Sequence, residues 1–225
     1  MVELIESPDP ARIRANLDRV RGEIAAVAAS SPHARPAPEV EVLAATKYIP
    51  VDAMPALAAG GVRVVGENRA QDLEAKVAAH GGLFEWDFIG ALQSRKVRTI
   101  VPHVRLIHSV ATESALRELD RHRDGGRPDL RILLEVNVAG EAGKAGIEPA
   151  QIGQFLAAAT VPVVGLMTMP PLAADPEASR PWFAALRGLA GEHGLEHLSM
   201  GTSQDYLVAL QEGATIVRIG TSLYR

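Results

Sequence analysis

LSMGTSQDYLVALQEGATIVRIGTSL, Leu198 to Leu223, holds two strand-then-turn units within 26 residues. The first strand runs into Ser199-Met200-Gly201-Thr202-Ser203, the second into Gly220-Thr221-Ser222. A short helical pattern of Tyr206, Leu207 and Leu210 lies between them and closes at Gly213. A Gly-Thr-Ser turn alone commonly caps a helix. Two such ends on adjacent parallel strands bring backbone N–H groups and hydroxyls to one place, where glycine admits a ligand and helix N-termini favour an anion. Arg218, inside the apolar run Thr215-Ile216-Val217-Arg218-Ile219, adds a planar cationic donor. The pattern points to a phosphate.

Outward from that segment, strand-like and helix-like stretches alternate. Apolar, β-branched runs fall at 40–47, 62–65, 85–89, 105–110, 130–138, 163–167, 195–200 and 215–219. Helical patterns fall at 51–59, 70–80, 94–101, 112–123, 149–159, 181–192 and 206–212. Before them, Ile13, Leu17, Val20, Ile24 and Val27 form a narrow apolar stripe on an extra N-terminal helix, and the proline-rich 31–38 connects. Eight βα units in 225 residues predict one α/β domain over 1–225, a (β/α)8 TIM barrel. An open doubly wound sheet normally shows a glycine-rich first turn, and Thr46-Lys47-Tyr48-Ile49-Pro50 is not one. The loop from Pro170-Pro171 to Pro181 is a candidate mobile element.

Composition narrows the function. The net charge of −4 gives no broad electrostatic case for nucleic acid or anionic membrane. No apolar run approaches a membrane span, and MVELIESPDP lacks the features of a signal peptide. Zero cysteines exclude disulfides and thiolate chemistry and suit the cytoplasm.

In a barrel, chemistry sits where strands end. Lys47 closes the first apolar strand; desolvated there, it could lose its proton and attack an aldehyde. His108 at a strand end either faces the site or is a hydrogen-bonded structural residue. Glu67 and Glu135 form no recognisable acid/base pair. Gly140-Glu-Ala-Gly143-Lys144-Ala145 superficially suggests a P-loop, but Ala145 stands where Ser or Thr would hold magnesium. His193 and His197 are four apart with Gly194 between them, so no metal site is expected.

The chain resembles the pyridoxal-phosphate homeostasis proteins, the YggS/PROSC group that is like the N-terminal domain of alanine racemases. The resemblance rests on Ala44-Ala45-Thr46-Lys47, Gly66-Glu67-Asn68 with Gln71-Asp72, and Phe88-Ile89-Gly90-Ala91-Leu92-Gln93-Ser94-Arg95-Lys96. Ile107-His108-Ser109-Val110, Val136-Asn137-Val138, Gly165-Leu166-Met167-Thr168-Met169 and the closing segment complete it. It implies a barrel that binds pyridoxal 5′-phosphate as an imine on Lys47. It implies Ser199, Met200, Gly220 and Thr221 around the phosphate, Arg218 facing the pyridine nitrogen, and Asn68 and Met167 lining the ring pocket. It implies cofactor buffering or delivery rather than catalysis, with apo pyridoxal-phosphate enzymes as candidate partners. Nothing in the sequence demands a dimer, so a monomer is expected. Ala91 stands where a histidine is usual, Ala111 where an acid is usual, and Thr46 where serine is frequent. The first two departures remove the side chains that would act in loading or release, and Lys144 is a further lysine in a loop near the mouth.

The residues support a non-enzyme independently. An arginine at the ring nitrogen disfavours the proton that strengthens the ring as an electron sink. The chain stops after the last strand, so no second domain is expected to supply a base opposite Lys47. The alternatives are a racemase-like enzyme using Tyr48 or Tyr206 as its base, and a barrel enzyme that holds a phosphorylated sugar on Lys47 without cofactor.

Overall fold

The computed structural model describes residues 4–225. Its eight strands are β1 (Glu41–Ala45), β2 (Val64–Glu67), β3 (Glu85–Phe88), β4 (Leu106–Val110), β5 (Arg131–Glu135), β6 (Val163–Met167), β7 (His197–Thr202) and β8 (Ile216–Ile219). Each pairs in parallel with the next in chain order, and β8 returns to β1, closing the barrel. The helices are α1 (Pro10–Ser30), α2 (Met54–Ala59), α3 (Ala70–His80), α4 (Val97–Ile100), α5 (Glu113–His122), α6 (Ile152–Ala158), α7 (Arg180–Glu192), α8 (Tyr206–Gln211) and α9 (Thr221–Tyr224). The expected (β/α)8 barrel with an added N-terminal helix is the observed fold.

Alternation along each strand sorts side chains between two cores. Leu43, Leu106, Leu133, Met167 and Ile216 pack together inside the barrel. Their neighbours Ala44, Ile107, Ile132, Leu134, Leu166 and Val217 face outward into the larger core shared with the helices. α1 buries Ile13, Leu17, Val20, Ile24 and Val27, the expected stripe, against α8 and α9. Each such side chain contributes roughly 1.5–3 kcal/mol on burial. Asp9 caps α1 by accepting from Ala11 N at 2.9 Å, and Pro10 opens its first turn.

Some strands end earlier than their apolar runs. β1 stops at Ala45 because Thr46 begins a turn that Ile49 N closes by donating to Thr46 O at 2.9 Å. β5 stops at Glu135, and Val136 only bridges to Ile147. All strands run the same way, so their C-terminal ends form one mouth. Among the described residues, no helix is long and apolar enough to cross a membrane.

Candidate functional site

The first strand delivers Lys47 to the rim. It lies in the turn after β1, is exposed, and holds Nζ 4.6 Å from the centre of the Tyr48 ring. A cation over an aromatic face at an exposed site gains about 0.5–1 kcal/mol. The expectation of a desolvated lysine is corrected: two residues past the strand, the side chain has left the barrel interior.

What precedes Lys47 is rigid. Thr46 is fully buried, its Oγ1 donates to Glu67 Oε1 at 2.5 Å, and Lys76 Nζ donates to Thr46 O at 2.9 Å. Lys76 on α3 also pairs with Glu67 at the end of β2, and both are buried. Tyr224 OH donates to Ala45 O at 3.1 Å, and burial pushes that phenol up. In the sequence Glu67 stands as a single carboxylate, and Lys76 belongs to no motif. A signal existed: Ala70, Leu73 and Lys76 recur every three residues on one face of α3, and all three are buried.

The two turns of the closing segment meet as expected, with different side chains. Ser203 Oγ accepts from Gly220 N at 3.1 Å and lies 3.0 Å from Ser222 Oγ. Ala44 of β1 is in register with Ile219 of β8, so Gly220 and Thr221 emerge beside the Lys47 turn. A Cβ built on Gly220 would meet only Ala45 Cβ, at 3.9 Å, so the backbone there is open to a ligand. Gly201 turns the chain at φ +89°; a Cβ there would lie 2.9 Å from Tyr206 Cα. Asp205 fixes the turn by accepting from Thr202 N at 2.7 Å and Ser179 Oγ at 2.9 Å.

The side chains of Ser199 and Met200 lie apart from the Ser203 and Ser222 hydroxyls. Ser199 lies mid-strand, level with Met167 and Ile216, and points into the barrel. Met200, its neighbour on the pleat, is fully buried in the outer core.

Below the rim, Arg218 occupies the barrel interior. Nη1 donates to Ser199 O at 2.7 Å and Ser199 Oγ at 2.6 Å; Nη2 donates to Thr168 O and reaches Met169 Sδ, each at 2.9 Å. Burial pulls the guanidinium down to about 10, against the fields of Asp205 and Glu135, so it stays cationic at neutral pH. Glu135, inward at the end of β5, is held above the usual carboxylate range by burial, with Arg218 and Lys144 opposing. His108 takes the structural alternative: it is buried, with Nδ1 2.8 Å from Ser199 Oγ and Nε2 3.1 Å from Asp87 Oδ2. Burial holds its imidazole below the ordinary value. Met167 forms part of the apolar floor beneath. Asn68, just past β2, has a buried Oδ1 with no hydrogen-bond partner, a vacant acceptor beside the rim.

Other candidates separate from this centre. Tyr206 OH contacts Glu23 and lies 3.4 Å from Arg19 Nη1, both on α1, so it cannot serve as a base at the mouth. The 140–145 segment folds on itself: Asn137 pairs both ways with Glu141 main chain, and Lys144 Nζ donates to Glu141 Oε2 at 3.1 Å. Gly194, at φ +65°, ends the α7 region, leaving His193 behind while His197 enters β7.

A family model described as the N-terminal domain of alanine racemase matches residues 9–225. The pyridoxal phosphate homeostasis protein of Aquifex aeolicus is 40% identical over 195 residues, 82% of this chain and 86% of that protein. The structure of PipY from Synechococcus elongatus with pyridoxal phosphate bound is 32% identical, covers 92% of this chain and 100% of that one, and superposes with a TM-score of 0.74. Alanine racemase of Bartonella henselae shares the fold at 13% identity and a TM-score of 0.68, over 97% of this chain and 59% of that one.

Proposed function

This chain belongs to the alanine racemase N-terminal domain family and, within it, to the pyridoxal phosphate homeostasis proteins; from that premise we propose that it binds pyridoxal 5′-phosphate and carries it without turning over a substrate. One observation carries the reading. An exposed primary amine, Lys47, stands on a rigid footing beside a hydroxyl-lined cradle, and the inward residue of the adjacent strand is an arginine.

The residues fit the cofactor's parts. Lys47 Nζ is the point of covalent attachment. Thr221 and Ser222, with the open Gly220 backbone, take the phosphate, and Met200 contributes through its main chain. Asn68 has an unmet polar atom for the ring's edge, and Met167 lies in the floor. Arg218 meets the ring nitrogen, with Ser199 supporting it from behind. When bound, pyridoxal phosphate supplies a ring that withdraws electrons from an attached amine's carbon. Arg218 cannot accept a proton and remains cationic, so it disfavours protonation of that nitrogen and weakens the sink. Tyr206 is committed to α1, which removes one of the two candidate bases. The exposed amine admits a competing amine, which is what release requires.

On this reading the protein works as a monomeric carrier in the cytoplasm, with 1–225 as one cofactor-binding domain. The test mixes loaded protein with an apo pyridoxal-phosphate enzyme. Activity of the acceptor should rise faster than with free cofactor at matched concentration. Transfer no faster than free cofactor, or turnover of an amino acid at roughly 1–1,000 per second, contradicts the carrier.

A further inference from the structure

A line of polar side chains runs through the barrel from its N-terminal pole to Arg218. At the far pole, Glu41 at the start of β1 pairs with Arg105 Nη2. Arg105 Nε donates to Asp87 Oδ1 at 2.9 Å and Nη2 to Asp87 Oδ2 at 3.1 Å. Asp87 Oδ2 faces His108 Nε2 at 3.1 Å, His108 Nδ1 faces Ser199 Oγ at 2.8 Å, and Ser199 Oγ faces Arg218 Nη1 at 2.6 Å. Asp87, His108 and Ser199 are each almost completely buried.

The donors along this line are determined. Arg218 can only donate, so Ser199 Oγ accepts from it. Arg105 can only donate, so both Asp87 oxygens accept from it. A neutral His108 with its proton on Nδ1 would set the Nε2 lone pair against the Asp87 carboxylate. Placing the proton on Nε2 satisfies Asp87 and leaves Nδ1 to accept from Ser199 Oγ–H. Every proton in the line then has one acceptor. The Asp–His–Ser order is that of a hydrolase triad, but Ser199 is inaccessible and its oxygen is committed to Arg218, so no nucleophile is made.

We propose that Asp87 and His108 are positioning residues for Arg218: by fixing the proton of the Ser199 hydroxyl, they set the direction in which the guanidinium meets the cofactor ring. The proposal rests on the assignment of Arg218 to that ring. It explains why a barrel with an apolar inner core of Leu43, Leu106 and Leu133 accepts the desolvation of four polar side chains, one each from β3, β4, β7 and β8. Fully satisfied, such a network gives one arrangement; with one member altered, Arg218 loses a defined acceptor.

Asp87→Asn separates the two roles. Arg105 claims the amide oxygen, the amide NH2 then faces His108 Nε2, and the histidine proton moves to Nδ1. The first readout needs no cofactor. Nitrogen-15 spectra of the histidines, with His108 assigned by loss of its signals in His108→Gln, should show the Nε2–H form in the unaltered protein and the Nδ1–H form in Asp87→Asn. The second readout is the visible band after adding pyridoxal phosphate. Asp87→Asn and Ser199→Ala should keep attachment at Lys47 yet shift the band in the direction seen for Arg218→Lys, with affinity about tenfold weaker, the scale of one hydrogen bond to a charged group. Ser199→Ala combined with Arg218→Lys should shift no further than Arg218→Lys alone. An Nδ1–H form in the unaltered protein, or unaltered band and affinity in Ser199→Ala, overturns the proposal. Ser199→Ala decides the question if Asp87→Asn does not fold. Failure of the unaltered protein to take up cofactor instead counts against the proposed function, and the nitrogen-15 readout still judges the network.

Discussion

Lys47, in the turn after β1, and Arg218, on the adjacent β8, serve one site in the proposed reading, yet they are held in opposite ways. Lys47 is exposed, with Nζ over the Tyr48 ring and the rigid Thr46 immediately before it. Arg218 is buried, with its guanidinium divided among Ser199, Thr168 and Met169. The rim keeps its anchor exposed at the tip and fixed at the root, whereas the interior fixes the group itself. A carrier needs both. Its attachment point must be reachable by a competing amine, and the group that suppresses ring protonation must not wander.

Replacing each residue should break the contrast in a different way. Lys47→Ala has the largest expected effect on the site and the least on the fold. Covalent uptake of pyridoxal phosphate, followed in the visible spectrum, should vanish, leaving at most weak binding through the phosphate. The thermal midpoint should barely move, because an exposed side chain is removed. A large loss of stability would show that Lys47 is structural.

The footing should behave inversely. Lys76→Met leaves Glu67 buried without its cation and should cost about 3–5 kcal/mol in denaturant unfolding. Pairing it with Glu67→Leu should return much of that loss. A small effect of Lys76→Met alone would mean that the Thr46 turn is not held by this pair. At the cradle, Thr221→Ala should weaken cofactor binding by about 1–2 kcal/mol and leave attachment intact, as expected for one hydrogen bond to a charged group.

The contrast has a basis in what strand patterns carry. Alternation and apolar runs locate eight strands and place Lys47, Asn68, Gly220 and Thr221 at one end, because each signal is local. Parity within β7 was also legible: if Ser199 points inward, Met200 must point outward, so the two cannot both line the mouth with side chains. The interior line was not legible. His108 and Ser199 are 91 positions apart and Asp87 and His108 are 21 apart. Their meeting depends on strand register and barrel closure, which no local pattern encodes. Lys76 lay between these cases, since a lysine on an apolar helix face is a local signal of a buried partner.

Acid should distinguish interior from rim more gently. Burial holds His108 and His197 below the ordinary imidazole value. Below about pH 6.5 the unfolded chain therefore binds protons that the folded chain does not, and stability should fall as pH drops from 7 toward 5. The smallest expected effect concerns Glu135, whose folded value is raised. In cofactor-free protein its contribution is full below the ordinary carboxyl value of about 4.3 and is lost as pH rises through the raised one. Glu135→Gln should thus give a small gain in stability at pH 7 and none at pH 3.5. A loss at pH 7 would mean that the carboxylate's attraction to Arg218 outweighs its burial.

The central claim is that the cofactor attaches at the exposed lysine beside β8. Loading the protein with pyridoxal phosphate, reducing with borohydride and mapping the peptides tests it most directly. The adduct should lie on the peptide carrying Lys47. An adduct on Lys144 or another lysine, with Lys47 unmodified in folded protein, would contradict it.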